Sequence, residues 1–158
     1  LTTFGFPVHG WSRSPTTLPG IACHAGAEGL DDFLAAVRVL VCALPLTPAT
    51  ENILNRRTLS RLRRPGYLVN IARGGHLVDE DLIALIDEGR MAGACLDVFR
   101  TEPLPADHLL RSRSAITITP HISAQTLHAE ALAQVVANLR ALQAGDRPTG
   151  LVDRDRGY

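Results

Sequence analysis

Four short apolar runs, at residues 37–44, 67–71, 91–98 and 116–119, constrain this chain most. Each reads as a strand that is apolar on both faces, and helix-forming segments separate them. Residues 29–36 predict a short helix with Asp31 or Asp32 near its start. Residues 55–62 predict a second, ending before Pro65 and Gly66. Residues 79–89 predict an amphipathic third, with Leu82, Ile83, Leu85 and Ile86 on its apolar face and Gly89 at its end. Residues 125–142 predict a long fourth. Strands buried on both sides and alternating with helices mean a parallel sheet covered by helices, in a doubly wound α/β fold.

The first residues read differently. Residues 1–5 look like the last turn of a helix closing on Gly5. Residues 6–11 then predict a strand, residues 12–15 the loop after it, and residues 21–24 a minor strand. Residues 153–158 form a polar tail.

Composition removes several classes of function. The 158 residues carry 16 basic and 16 acidic side chains, and no basic stretch stands out beyond residues 61–64. A nucleic-acid surface is therefore not expected. No run of about 18 apolar residues occurs, so no membrane span or membrane partner is expected. Every basic residue is arginine, which excludes lysine-based covalent chemistry. Cys23, Cys42 and Cys95 stand far apart without metal-ligand spacing, so no metal is expected and a reduced, cytoplasmic setting fits. No Gly-x-Ser-x-Gly motif supports a serine hydrolase.

Three segments carry the chemistry: Asn-Ile-Ala-Arg-Gly-Gly (70–75), Asp-Val-Phe-Arg-Thr-Glu-Pro (97–103) and Thr-Pro-His-Ile-Ser (119–123). Each follows an apolar run, and ligands bind at the carboxyl ends of parallel strands. Arg73 offers a planar fork that grips a carboxylate or carbonyl oxygen. His121 can give a proton near neutrality. Glu102 can fix the tautomer of His121 and favour its charged form. The plainer alternatives are an arginine paired with a helix end, a packed histidine and a solvated glutamate. His9, His24, His76, His108 and His128 are read as such packed or solvated histidines. As a set, arginine, carboxylate and histidine are the equipment for reducing a 2-keto acid.

These segments, with Gly-Trp-Ser-Arg-Ser-Pro (10–15), Leu-Pro-Leu-Thr-Pro-Ala-Thr (44–50), Cys-Leu-Asp-Val-Phe (95–99), Glu-Pro-Leu-Pro (102–105) and the terminal Val-Asp-Arg-Asp-Arg-Gly-Tyr (152–158), resemble the D-isomer-specific 2-hydroxyacid dehydrogenases. The nearest branch is that of the glyoxylate/hydroxypyruvate reductases. The resemblance implies Arg73, Glu102 and His121 as the catalytic set. It also implies a homodimer and a small 2-keto acid substrate. For the cofactor it implies Ser12, Arg13 and Ser14 near the ribose, Leu44 and Pro45 walling the adenine, and contacts from Thr50, Ala72 and Asp97. Asp97 would bond the nicotinamide carboxamide; a loop cap is its competing reading. Residues 11–14 offer a cation and hydroxyls and no carboxylate, which favours NADP(H), with NAD(H) as the alternative.

One departure stands out. The family's Gly-x-Gly-x-x-Gly turn does not occur in this sequence. The expectation is a Rossmann-type sheet lacking its first strand and Gly-rich turn, in the C-terminal half of a longer protein. Residues 1–124 would be a partial dinucleotide-binding domain. Residues 125–158 would return toward a substrate domain. A non-catalytic nucleotide-sensing module of corepressor type, or a chain inert by itself, are the alternatives to the reductase.

Overall fold

The computed structural model describes residues 1–154. All of its strand pairings within sheets are parallel, as the apolar runs predict. The strands form two sheets. One pairs β1 (Val8–Ser12) with β2 (Ile21–Ala25). The other runs in order β3 (Val39–Cys42), β4 (Gly66–Asn70), β5 (Met91–Leu96) and β6 (Ile116–Ile118). A cavity of about 270 Å³ is lined from one side by His9, Gly10 and Trp11 of β1 and from the other by Leu40, Val41 and Cys42 of β3.

Among the described residues, four helices link or follow the strands: α1 (Gly26–Ala36), α2 (Arg56–Leu59), α3 (Asp79–Asp87) and α4 (His128–Ala144). The opening turn is a single 3-10 turn over Thr2–Phe4, capped by Gly5 at φ 77°. The expected start of α1 was one turn late. Glu28 occupies its first turn, and Asp31 and Asp32 lie in mid-helix. The second helix is a single turn, not two. The Asn55 side chain accepts from the Thr58 N–H while the Thr58 hydroxyl accepts from the Asn55 N–H, so the cap and the turn are nearly the whole element.

The core lies between α1, α2 and α3 and the four-stranded sheet. Leu34, Leu59, Leu68, Leu82, Leu85, Leu96 and Leu110 are all essentially inaccessible to solvent. Each such leucine contributes roughly 2 kcal/mol. The expectation of two buried faces fails at β3, where Leu40 and Cys42 are buried and Val39 and Val41 are about half exposed. The core helices cover only one side of that strand. In α4 no residue is buried, and Leu132, Val135, Val136, Leu139 and Leu142 all face solvent. Of the polar tail, residues 155–158 lie outside the described residues.

One glycine sets the spacing between β5 and the chain entering β6. A Cβ on Gly93 would lie 2.2 Å from the Ala115 carbonyl oxygen, the same oxygen that accepts the Ala94 N–H at 3.1 Å. The methyl of Gly93→Ala must therefore push apart β5 and the chain entering β6. The variant is expected to lose roughly 2 kcal/mol or more in urea unfolding. A loss under about 0.5 kcal/mol would contradict so close an approach.

Candidate active site

Three loops leave the carboxyl ends of β4, β5 and β6, and each presents one residue of the predicted set. After β4, the buried Asn70 folds the turn. Its Nδ2 donates to the Arg73 carbonyl at 3.1 Å, and its Oδ1 accepts the Ala72 N–H at 3.2 Å. Arg73 is thereby held at the surface, and its Nη1 donates to the Ala72 carbonyl at 2.6 Å. Buried His76 sits behind the same turn. Its Nδ1 lies 3.0 Å from the Arg73 carbonyl oxygen and its Nε2 3.3 Å from that of Pro45. The packed-histidine reading holds for this residue.

After β5, the Glu102 side chain folds back on its own loop. Its Oε1 accepts the Phe99 N–H at 2.8 Å, and its Oε2 lies 2.8 Å from His121 Nδ1. The bond to His121, aided by that N–H, holds the Glu102 carboxyl below the usual carboxylate range. Glu102 is thus ionised at neutral pH and can only accept, so Nδ1 must carry the proton between them. That leaves Nε2 as the nitrogen facing any substrate.

His121 itself occupies a left-handed backbone conformation, φ 56°, which is uncommon for a non-glycine residue. Asp97 over-determines it. The Asp97 carbonyl accepts the His121 N–H at 2.9 Å. The Asp97 carboxylate, 1% exposed, accepts the Thr119 hydroxyl and the N–H groups of Ile122 and Ser123, the last two at 2.9 Å. Burial acts to raise the Asp97 carboxyl. The bonds from Thr119, Ser123 and Ile122 overcome it and hold the group well below the usual range. Both carboxylate oxygens are engaged in this loop, which is the geometry of the loop-cap reading.

Glu102 and His121 share a cavity of about 340 Å³ with Phe99, Ile118, Thr119 and Arg111. Arg111 braces it by donating to the carbonyls of Leu104 and Pro105 at 2.8 and 2.9 Å. Arg73 does not line this cavity. A second cavity, of about 620 Å³, gathers five of the eight residues expected at the cofactor: Ser12, Arg13, Leu44, Pro45 and Thr50. Trp11, Leu30 and Ile53 add apolar wall, Arg57 a second cation, and Glu51 a carboxylate that pairs with Arg100 at 3.7 Å. Such a set suits an apolar ring system attached to an anion.

The Thr50 hydroxyl already staples its own loop, donating to Pro45 at 2.7 Å and accepting the Thr47 N–H at 2.8 Å. Ser14, Ala72 and Asp97 do not line the cavity. Ser14 offers its carbonyl to the Ser12 hydroxyl, and the Ala72 carbonyl is taken by Arg73.

The depressed Asp97 carboxyl makes stability depend on pH in a defined direction. Its contribution is complete above the unfolded carboxylate range, about pH 4, and is lost as pH falls from there toward the lower native value. Asp97→Asn sets an amide N–H₂ against donors, so urea unfolding at pH 7 should show a loss on the order of 2 kcal/mol. Its acid limb should be shallower than that of the native protein. Equal limbs would contradict the assignment.

Known proteins share this fold. The family described as D-isomer specific 2-hydroxyacid dehydrogenase, NAD binding domain, matches residues 1–123. Over all 158 residues the chain is 48% identical to glyoxylate/hydroxypyruvate reductase A of Yersinia enterocolitica, covering 50% of that protein. A D-isomer specific 2-hydroxyacid dehydrogenase from Xanthobacter autotrophicus Py2, solved in complex with NADPH and MES, superposes with a TM-score of 0.94 at 40% identity. That match covers 98% of this chain and 64% of that one. An NADPH-dependent glyoxylate/hydroxypyruvate reductase from Sinorhizobium meliloti, in complex with NADP and sulfate, also gives 0.94, at 33% identity, covering 99% of this chain and 51% of that one. The chain spans about half the length of the curated relatives it matches. With the match over residues 1–123, this chain belongs to the D-isomer specific 2-hydroxyacid dehydrogenase family.

Proposed function

We propose that the protein carrying this chain reduces a small 2-keto acid, of the glyoxylate or hydroxypyruvate kind, to the 2-hydroxy acid. The observation that carries this reading is the Glu102–His121 pair, 2.8 Å apart at the ends of β5 and β6. His121 Nε2 gives its proton to the keto oxygen, and Glu102 stabilises the charged imidazole before that step. Arg73, on the neighbouring strand end, grips the substrate carboxylate. NADPH, when bound, supplies the hydride.

Ser12, Arg13, Leu44, Pro45 and Thr50 hold the adenosine end of that cofactor, with Arg13 on the 2′-phosphate. NADH is the weaker alternative. The NADPH bound to the Xanthobacter protein and the NADP bound to the Sinorhizobium protein support this preference. Asp97 serves the cofactor chiefly by fixing the His121 loop; direct contact with the carboxamide, and cofactor contacts from Ser14 and Ala72, are the added roles the resemblance assigns. Of the C-terminal segment, the described residues from 125 onward extend toward a substrate domain, and the exposed apolar side chains of α4 support this. The working form is a homodimer in the cytoplasm, where the three unbridged cysteines stay reduced.

The assay is glyoxylate-dependent oxidation of NADPH across pH. Turnover should be faster with NADPH than with NADH. Glu102→Gln should lower kcat about tenfold or more, because the imidazole loses the carboxylate that fixes its tautomer. Absence of turnover in the native protein, or a kcat unmoved by the substitution, would overturn the reading.

A further inference from the structure

Arg100 lies two residues before Glu102, in a loop where a solvated side chain is the default. Here the side chain, though exposed, donates to several fixed acceptors. Its Nε donates to the Leu77 carbonyl at 3.2 Å. Its Nη2 donates to the carbonyls of Leu77 and Gly75, each at 3.1 Å, and to Asn52 Oδ1. Its Nη1 faces Glu51. One guanidinium therefore joins three separate segments: residues 47–54, residues 73–77 and residues 97–102.

The partners are themselves coupled. Asn52 stands in a left-handed conformation, φ 56°, and its N–H donates to the same Gly75 carbonyl at 3.0 Å. Leu54 forms a parallel bridge with Leu77, and the Leu54 carbonyl accepts the Val78 N–H at 3.0 Å. On the other side of the clamp, Phe99 supplies the N–H that holds Glu102. The Phe99 backbone rests directly on Gly74, where a Cβ would lie 1.9 Å from the Phe99 carbonyl carbon. Moving Arg100 would move Phe99, and with it the register between the Arg73 turn and the Glu102 loop.

We propose that Arg100 is a positioning residue for the reductase reaction: with Asn52 it clamps these three segments so that the Glu102 loop is held where Glu102 meets His121. The inference rests on the reading under Proposed function and extends it to a residue outside the catalytic set. Arg100 acts through geometry, because its fork matches several fixed acceptors at once. A lysine keeps the charge but not the fork.

The test compares Arg100→Ala, Arg100→Lys and Asn52→Gly in the purified protein. The glycine keeps the left-handed backbone of Asn52 and deletes only the acceptor. Two readouts are taken: the NMR titration of the Glu102 carboxyl carbon, and steady-state kinetics with NADPH and glyoxylate. Glu51, Arg73, His76, Asp97, Arg111 and His121 are the other charged or titratable groups of these loops, and all remain in place.

Both Arg100 variants should move the Glu102 titration up toward the ordinary carboxylate range. Both should lower kcat about tenfold with the KM for NADPH within about twofold. Asn52→Gly should follow in the same direction by a smaller amount, and it keeps the test open if Arg100→Ala fails to fold. Arg100→Lys matching the native protein in both readouts would overturn the clamp, since charge alone would then suffice. An unmoved Glu102 titration in all three variants would overturn it too. If the native protein does not oxidise NADPH with glyoxylate, the reductase reading falls, and the Glu102 titration still decides the clamp.

Discussion

A carboxylate sealed at the end of β5 holds this site together. Asp97 is 1% exposed, and a buried charge is costly unless hydrogen bonds replace its water. Here the Thr119 hydroxyl and the N–H groups of Ile122 and Ser123 do so. Those donors all come from the segment after β6, so satisfying Asp97 requires that segment to wrap around it. The Asp97 carbonyl then takes the His121 N–H, and the Asp97 N–H donates to the Asn70 carbonyl at 3.0 Å. One residue thereby ties together the ends of β4, β5 and β6. His121 tolerates its left-handed backbone because these bonds leave it no alternative.

Once that loop is fixed, the chemistry follows from short-range constraints. Glu102 can reach His121 because the Phe99 N–H anchors its other oxygen. The Arg73 turn can lie against the same loop because Gly74 has no side chain to strike Phe99. Asn70 closes that turn from within the core, at no exposure. The parallel sheet supplies three strand ends side by side, and close backbone contacts between their loops set the register of what they carry.

Much of this was legible in the sequence, for physical reasons that can be named. Apolar runs marked β3 to β6, because strands of a parallel sheet draw on such residues. The Arg73, Glu102 and His121 segments stood just after those runs, where parallel sheets place ligands. Glu102 and His121 do meet. Less could be read where a residue's neighbours are far off in the chain. Asn52 and Arg100 are 48 positions apart, and neither side chain is unusual for a loop. The exposure of Val39 and Val41 depends on what packs on that face of β3, which an apolar run cannot reveal. Asp97 admitted two readings, and its geometry is that of the cap; no local signal announced that its partners would come from residues 119–123. The start of α1 was placed one turn late because Gly26 reads as loop, whereas the first turn forms around Glu28.

The account turns on His121 keeping its proton on Nδ1, toward Glu102, and presenting Nε2 to the substrate. Nitrogen-15 NMR of the imidazole, at a pH where the ring is neutral, tests this most directly. The account predicts a protonated Nδ1 and an unprotonated Nε2. The reverse tautomer, with the proton on Nε2, would show that Glu102 does not set the state of His121, and the central claim would fail.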